Sequence, residues 1–253
     1  MIGDPEALDE TYLPDAQWTA TDAFLVFFVG LVGSVIGVAF ATVAGAADFG
    51  LVAAGLGAQA VAALGLAAYL SSRRGTGDWE RDFGLRIEPR HVGWLAAGLA
   101  LQLAVALLVG PIIELFAPED APQQGIADVA EDLDGSVNTL VFLFLVVIVA
   151  PLVEELIFRG MLLSRLRRSM GKWGAVTMSA AVFAAIHLID PNAVFAVPGL
   201  FLIGLALGWA ALRYGNLSVP IFLHAGVNLT GAIVLLYSDE LLESVDALSG
   251  LLL

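Results

Sequence analysis

Long uncharged stretches dominate this sequence and limit what it can fold into. Five of them carry no charged residue: 23–47, 49–70, 92–113, 135–153 and 193–212. Two more, 173–189 and 217–237, are equally apolar except for one histidine each and Asn228. Each stretch is close to the roughly 20 residues that a helix needs to cross a hydrocarbon core about 30 Å thick. The sequence therefore predicts an all-α, polytopic membrane bundle with about seven transmembrane helices.

Composition agrees with this prediction and excludes several classes of function. Of the 253 residues, 59% are hydrophobic, and the mean hydropathy is +0.88. The net charge of −14 makes nucleic acid an improbable partner. Because there is no cysteine, disulfides, thiolate metal sites and a cysteine nucleophile are all excluded. The acidic start lacks the basic region of a signal peptide, so we expect the first span to be retained.

The basic residues predict the orientation in the cell membrane. Apart from Arg159 they fall in three segments, at 73–90, at 165–172 and at Arg213. With seven spans these segments lie on one side, which the positive-inside rule identifies as the cytoplasm. The acidic tail 1–22 then lies in the cytoplasm, and 23–237 forms the transmembrane domain. Residues 238–253 are predicted to be a C-terminal amphipathic helix or tail, which we favour over an eighth span.

Charged side chains continue directly from the fourth apolar stretch. Glu155 and Arg159 are four residues apart and share a helix face, which predicts an ion pair. Glu154 points about 100° away and has no such partner, which makes it the candidate general base. Pro151 predicts a kink that leaves room for water beside it. The alternative is that these charges only mark the interfacial end of a helix, because basic residues follow from Arg165.

Two histidines and an amide lie inside the later spans. His224 and Asn228 are four residues apart, so that both could donate hydrogen bonds to a developing oxyanion. The alternative is that these groups only join helices, as single membrane histidines often do. Straight helices would place His187 about 22 Å into its span and His224 about 10 Å into its own. The two would then not meet unless the helices tilt, kink or begin at different depths.

These residues form three spaced motifs: Glu154-Glu155-xxx-Arg159, Phe183-xxx-His187 and His224-xxx-Asn228. In order and spacing they resemble the CPBP family of intramembrane proteases, also called the CAAX-processing or Abi family. The resemblance covers about 135–237, which would be the protease core, and the first three spans carry no recognisable signature. It implies that each motif lies on its own transmembrane helix and that the protein hydrolyses a peptide bond inside the bilayer.

The resemblance also implies roles for the site residues. Glu154, helped by His187, would activate a water, and His224 with Asn228 would hold the oxyanion. Family members have also been described as metal-dependent. Glu154, His187 and His224 would then hold one divalent metal such as zinc, with a position open for water. We favour the metal-free mechanism because Asn228 is a better oxyanion donor than zinc ligand, although the residue types suit both.

The expected partners are the lipid bilayer and a membrane protein or lipidated peptide as substrate. The residues do not decide whether that substrate is prenylated. Two other functions remain open at this stage. One is a non-catalytic scaffold or immunity-type protein that keeps the motifs for helix packing. The other is a small secondary transporter, although the chain shows no inverted repeat.

Overall fold

The structure of the protein is a computed structural model. It describes residues 14, 16–116, 133 and 135–252, with only the backbone at Glu114 and at 238–252. Most of the predicted acidic tail and most of the segment 114–134 between the third and fourth apolar stretches lie outside the described residues. The same holds for the side chains of the C-terminal stretch, so its predicted amphipathic character stays a prediction.

The described residues are mostly helical and contain no strand, which confirms the predicted all-α class. In chain order the α-helices are α1 (Ala20–Val43), α2 (Asp48–Arg74), α3 (Trp79–Phe83), α4 (Trp94–Phe116), α5 (Ser136–Leu143), α6 (Ala150–Glu155), α7 (Ser164–Ile186), α8 (Val197–Tyr214) and α9 (Ser218–Leu252). Two π-helical segments, Phe144–Val149 and Leu156–Leu163, lie on either side of α6. Short 3₁₀ turns occur at Pro89–His91, His187–Ile189 and Pro191–Ala196.

Six helical stretches among the described residues are long and apolar enough to cross a membrane. One of them, Ser136–Ile189, has 54 residues and is interrupted at Gly171. Gly171 has φ 74°, a left-handed value that favours glycine. The hydroxyl of Ser179 donates to the Phe158 carbonyl (3.1 Å), so the two parts of this stretch lie side by side. Depending on whether this stretch counts as one span or two, the described residues contain six or seven candidate spans, against about seven predicted.

Glycines allow two pairs of helices to approach closely. A Cβ atom on Gly37 of α1 would lie 2.5 Å from the carbonyl oxygen of Ala54 in α2. A Cβ atom on Gly98 of α4 would lie 2.0 Å from the Leu223 carbonyl oxygen in α9. Small residues permit such backbone contacts between membrane helices. The second contact fixes the part of α9 that carries His224.

A polar clasp around Asp82, in the loop between α2 and α4, joins several segments outside the spans. The buried Asp82 carboxylate accepts hydrogen bonds from Ser71, Thr76 and Gly77. Burial works against the charged form, but these hydrogen bonds outweigh it and hold the pKa of Asp82 below its usual value. The indole N–H of Trp18 donates to the Asp82 backbone carbonyl (2.6 Å). The start of α1 is thereby tied to the end of α2.

The same loop also holds the beginning of α9. The Leu217 backbone N–H donates to the Gly84 carbonyl (2.9 Å), and the Glu88 N–H donates to the Ser218 hydroxyl (2.9 Å). Since α9 begins at Ser218, these bonds fix the depth at which the helix enters the bundle. The loop thus helps to position the residues further along α9.

Candidate active site

The Glu155–Arg159 ion pair lies at the centre of the motif helices, as the spacing predicted. Arg159 Nη1 donates to Glu155 Oε1 at 2.9 Å, and both side chains are 0% exposed. The guanidinium also donates to the Gly204 carbonyl of α8 (3.3 Å) and lies 4.6 Å from the centre of the Phe183 ring. Two charges can stay inside a membrane protein when paired and hydrogen-bonded in this way. The pair therefore joins its own helical stretch to α7 and α8.

His224 lies between the two glutamates. Its Nδ1 atom is 2.8 Å from Glu155 Oε1, and its Nε2 atom is 3.7 Å from Glu154 Oε2. Because the paired Glu155 carboxylate accepts hydrogen bonds, Nδ1 carries the proton and the Nε2 side of the ring faces Glu154. A separation of 3.7 Å is too long for a direct hydrogen bond and suits a bridging water. The sequence predicted both residues as site residues but did not predict this contact.

Glu154 is the more accessible of the two glutamates. Its side chain is 28% exposed, against 0% for Glu155, and it forms no ion pair with an arginine or lysine of the described residues. The carboxylate lines a cavity of about 60 Å³ between α2 and the first π-helical segment. A single water needs about 10–15 Å³ on this measure, so several waters fit beside Glu154. The two adjacent acids therefore have different surroundings, as the sequence predicted.

His187 comes one helical turn after Phe183 in the chain, and Phe183 connects it to His224. The Nδ1 atom of His187 is 2.8 Å from the Phe183 carbonyl oxygen, so this nitrogen is the donor, and Nε2 has no hydrogen-bond partner among the residues that the structure describes. The Phe183 ring is 5.0 Å from the His187 ring and 5.7 Å from the His224 ring, centre to centre. Phe183 therefore contacts both histidines.

His187 and His224 do come close to the same residue, Phe183, because their helices begin at different depths. Leu217, just before α9, packs in the same buried cluster as Ala175 and Val176 of α7. Since α9 starts about one turn deeper than the span that begins at Lys172, His224 comes level with Phe183. His187 then lies only one turn further along α7.

Asn228 binds the backbone of the first π-helical segment. Its side-chain amide donates to the Val146 carbonyl at 2.9 Å. In this segment the Ala150 N–H bonds to the Leu145 carbonyl, five residues earlier. The next N–H in that order would bond to Val146, but it belongs to Pro151, which has none. Asn228 thus supplies the hydrogen bond that the proline cannot, and its second amide hydrogen has no partner among the described residues.

The predicted kink at Pro151 takes the form of this π-helical segment. Pro151 lies in the first turn of α6, directly after the segment. The wider π-helical turn accommodates the proline ring without breaking the helix. The widened turn faces the cavity beside Glu154, because Leu145 and Val149 line it.

The residues proposed as metal ligands are not grouped around a common point in the structure. Across the described residues, no group of three His, Cys, Asp or Glu side chains is arranged to hold a metal ion. Glu154 and His224 approach each other, whereas the Nδ1 atom of His187 is bonded to a carbonyl and its ring lies beyond Phe183. The residues Glu154, His187 and His224 do not fit a three-ligand site in this conformation.

Sequence reasoning missed one residue that borders the site. Gln59 of α2 lines the cavity with Glu154, although the first three spans carry no motif. The sequence did contain an indication of this residue, because Gln59 is the only amide side chain in the uncharged stretch 49–70. Its position on α2 alone does not reveal which helix it faces, and only the packed bundle shows that.

The fold and the site together define a multi-pass helical membrane protein with a buried polar cluster in its carboxyl-terminal half. Residues 136–230 match the family model described as Rce1-like, the type II CAAX prenyl endopeptidase Rce1-like family. This match is consistent with the CPBP family and confirms the resemblance drawn from the motifs. All six predicted site residues lie within the matched range.

One curated relative is an uncharacterized 24.3 kDa protein of Escherichia coli. It is 32% identical over 139 residues, which cover 53% of this chain and 61% of that protein. The chain thus spans less than two thirds of the length of the relative it matches. No solved structure matches the chain.

Proposed function

We propose that the protein is an intramembrane endopeptidase that cleaves a membrane-associated protein with a water activated by Glu154. The observation that carries this proposal is the position of His224, which is held by Glu155 on one side and faces Glu154 on the other. The family match supports the reaction class, and the geometry supports the roles of individual residues.

The proposed attacking water lies between Glu154 and His224. With its proton on Nδ1, a neutral His224 presents a lone pair at Nε2, and Glu154 presents a carboxylate oxygen. A water between these two acceptors donates one hydrogen to each and keeps its own lone pair for attack. Glu155 and Arg159 orient the imidazole, much as a buried carboxylate orients the histidine of a serine protease. They act through His224 and are positioning residues.

The chemical step then follows from general acid–base catalysis. The water oxygen bonds to the scissile carbonyl carbon while Glu154 takes the water proton and the carbonyl oxygen becomes an oxyanion. When the C–N bond breaks, the protonated Glu154 returns its proton to the leaving nitrogen. The amide hydrogen of Asn228 that does not bond to Val146 is the proposed donor to the oxyanion. His187 is proposed to help activate the water through its Nε2 atom. No step in this scheme passes through a metal.

The membrane setting narrows the substrate. A site built on transmembrane helices acts on a peptide segment that lies in or enters the bilayer, so the proposed substrates are membrane proteins or lipidated peptides. We also expect the amino terminus and the Asp82 clasp to face the cytoplasm, because the arginines at 73–90 lie on that side of the bundle.

A comparison of peptide termini in the native host tests the proposal. Membrane and secreted peptides are mapped in cells producing the wild type, Glu154→Gln or Glu80→Gln at equal membrane levels. Glu80 makes the control because it is 55% exposed and lies outside the spans. Removing a general base costs about 10²–10⁴-fold in rate, so specific fragments should disappear only in Glu154→Gln.

The opposite result would point to a non-catalytic role. If a deletion gives a phenotype that Glu154→Gln does not, and the peptide maps coincide, then the motifs serve packing and the protein is a scaffold. The conservative change keeps the size of the side chain, so misfolding is not expected to imitate loss of catalysis.

A further inference from the structure

Gln59 is the second polar side chain of the cavity that holds Glu154. It lies in the middle of α2, with Leu56 and Ala60 beside it in the cavity wall. Its side chain is half-buried and forms no hydrogen bond with any other described residue. Withdrawing an amide from water without a hydrogen-bond partner is unfavourable. A position of this kind inside an apolar helix therefore calls for an explanation.

The packing around Gln59 gives the amide a defined position. On the neighbouring helix α1, a Cβ atom at Gly30 would lie 3.4 Å from Gln59 Cγ, so the absence of a side chain there leaves room for the glutamine stem. Across the cavity stands the first π-helical segment, followed by Glu154. The amide therefore borders the same cavity as the proposed general base.

The chemistry of an intramembrane substrate matches this arrangement. A peptide bond within a helix has its N–H and C=O groups occupied, so the segment to be cleaved must be extended at the site. Extension leaves backbone donors and acceptors without partners in a place with little water. A glutamine amide offers one acceptor and two donors, which can pair with the C=O and N–H of such a segment.

We propose that Gln59 is a substrate-binding residue that holds the backbone of the extended peptide opposite Glu154. This inference rests on the proposed protease function and adds a fourth helix, α2, to the site. It also explains why an amide stands at this one position in the second span. The expected ligand is a peptide backbone, whatever the side chains of the substrate.

The test uses the precursor that accumulates in cells producing Glu154→Gln. Membranes containing wild type, Gln59→Met or Gln102→Met are supplied with increasing amounts of this precursor, and the rate of fragment formation is measured. Methionine has nearly the shape of glutamine and lacks the amide. Gln102 is a matched control, because it is the glutamine of another apolar helix, α4, and does not line the cavity.

Gln59→Met should lower kcat/KM roughly tenfold, mainly through KM, because one hydrogen bond to the bound peptide is lost. Gln102→Met should change it less than about twofold. Equal rates for Gln59→Met and wild type would overturn the inference while leaving the protease function intact. Absence of an accumulating precursor in Glu154→Gln would overturn both.

A cross-linking measurement guards against a folding defect in the variant. A diazirine-bearing residue is placed at position 59 or, as control, at position 61, both in the Glu154→Gln background. Val61 lies on the same helix and is 75% exposed, outside the cavity wall. Cross-links to the uncleaved precursor from position 59 alone support the inference. Cross-links to lipid only, or equally from both positions, contradict it.

Discussion

The α1–α2 hairpin and the motif helices are held together by opposite means. Within their most apolar windows, 17% of α1 and 22% of α2 are buried, against 56% of the span Ser218–Tyr237. Between its ends the hairpin is joined by glycine and alanine contacts such as Gly33 against Ala62, and its one ion pair among the described residues, Arg74 with Asp22, lies where α2 ends and α1 begins. The motif helices are joined by an ion pair, by histidine and by an amide bonded to a carbonyl.

This difference shows where each kind of interaction is useful in a membrane. Lipid is as apolar as leucine, so two helices facing lipid gain mainly from close backbone contact. Polar groups are costly there, and they are retained where they carry out or support chemistry. The hairpin is therefore a support, and its exception, Gln59, is the residue that faces the site.

Loss of the central cation should have the largest effect on stability. Arg159→Met leaves Glu155 buried without its partner, which typically costs about 3–5 kcal/mol. Arg86→Met is the control, since Arg86 and its partner Glu80 are both more than half exposed and such a pair contributes less than about 1 kcal/mol. Unfolding in detergent measures both. Similar stability of the two variants would show that the buried pair contributes little.

Adding a side chain at a glycine between α1 and α2 should lower stability less than the loss of Arg159. In Gly33→Ala the new Cβ would lie 2.6 Å from Ala62 Cβ and 2.8 Å from the Ala58 carbonyl oxygen, so α1 must shift. Overpacking of this kind costs about 1–3 kcal/mol. Gly57→Ala, in α2 with nothing within 4 Å, should cost nothing. Cleavage per folded molecule should be unchanged in both, and a large loss in Gly33→Ala would make the hairpin part of the site.

The Asn228 contact is tested by a double-mutant cycle. Asn228→Leu leaves the Val146 carbonyl without its donor and should cost about 1–2 kcal/mol of stability. Pro151→Ala restores the backbone N–H that can reach this carbonyl. In that background the cost of Asn228→Leu should therefore fall by at least about 0.5 kcal/mol, which is the smallest coupling such a cycle resolves. Additive costs would show that the proline and the amide act independently.

The smallest effect on stability is expected for the Asp82 clasp, and its dependence on pH appears only at acidic pH. Its pKa is held below the ordinary value of 3.8. A carboxyl group with a lowered pKa in the folded state gives stability that is present above its unfolded pKa and is lost as the pH falls through the folded pKa. The stability difference between wild type and Asp82→Asn should therefore be constant from pH 7 to about 5 and shrink below about pH 4. A difference as large at pH 3 as at pH 7 would contradict the assignment.

The sequence was sufficient for the class, for a number of spans close to the six or seven among the described residues, and for the Glu155–Arg159 pair. These follow from local rules, because uncharged length fixes a span and a separation of four residues fixes a shared face. The family resemblance and the motif residues could also be recognised in the sequence, because the residues of each motif lie close together in the chain. The roles proposed for Glu154, His187, His224 and Asn228 remain predictions.

Contacts between distant segments were not predictable in this way. The place of His224 between two glutamates depends on the depth at which α9 begins, which the bonds of Leu217 and Ser218 to a remote loop decide. The contact of Asn228 with Val146 depends on a π-helical turn, and periodicity in the sequence does not separate that turn from an ordinary helix. Gln59 faces Glu154 only because of how α2 packs.

The start of the chain carries a consequence for how the protein is made. Arg168 donates hydrogen bonds to the backbone carbonyls of Pro14 and Ala16, which lie about 150 residues earlier. During synthesis the first hairpin can enter the membrane long before Arg168 leaves the ribosome. The bonds to Arg168 can therefore form only after the fourth span has been made, whereas Trp18 can bind the Asp82 carbonyl earlier. Attachment to Arg168 is a later step of assembly than closure of the hairpin, and it links the amino-terminal segment to the helical stretch that carries Glu154.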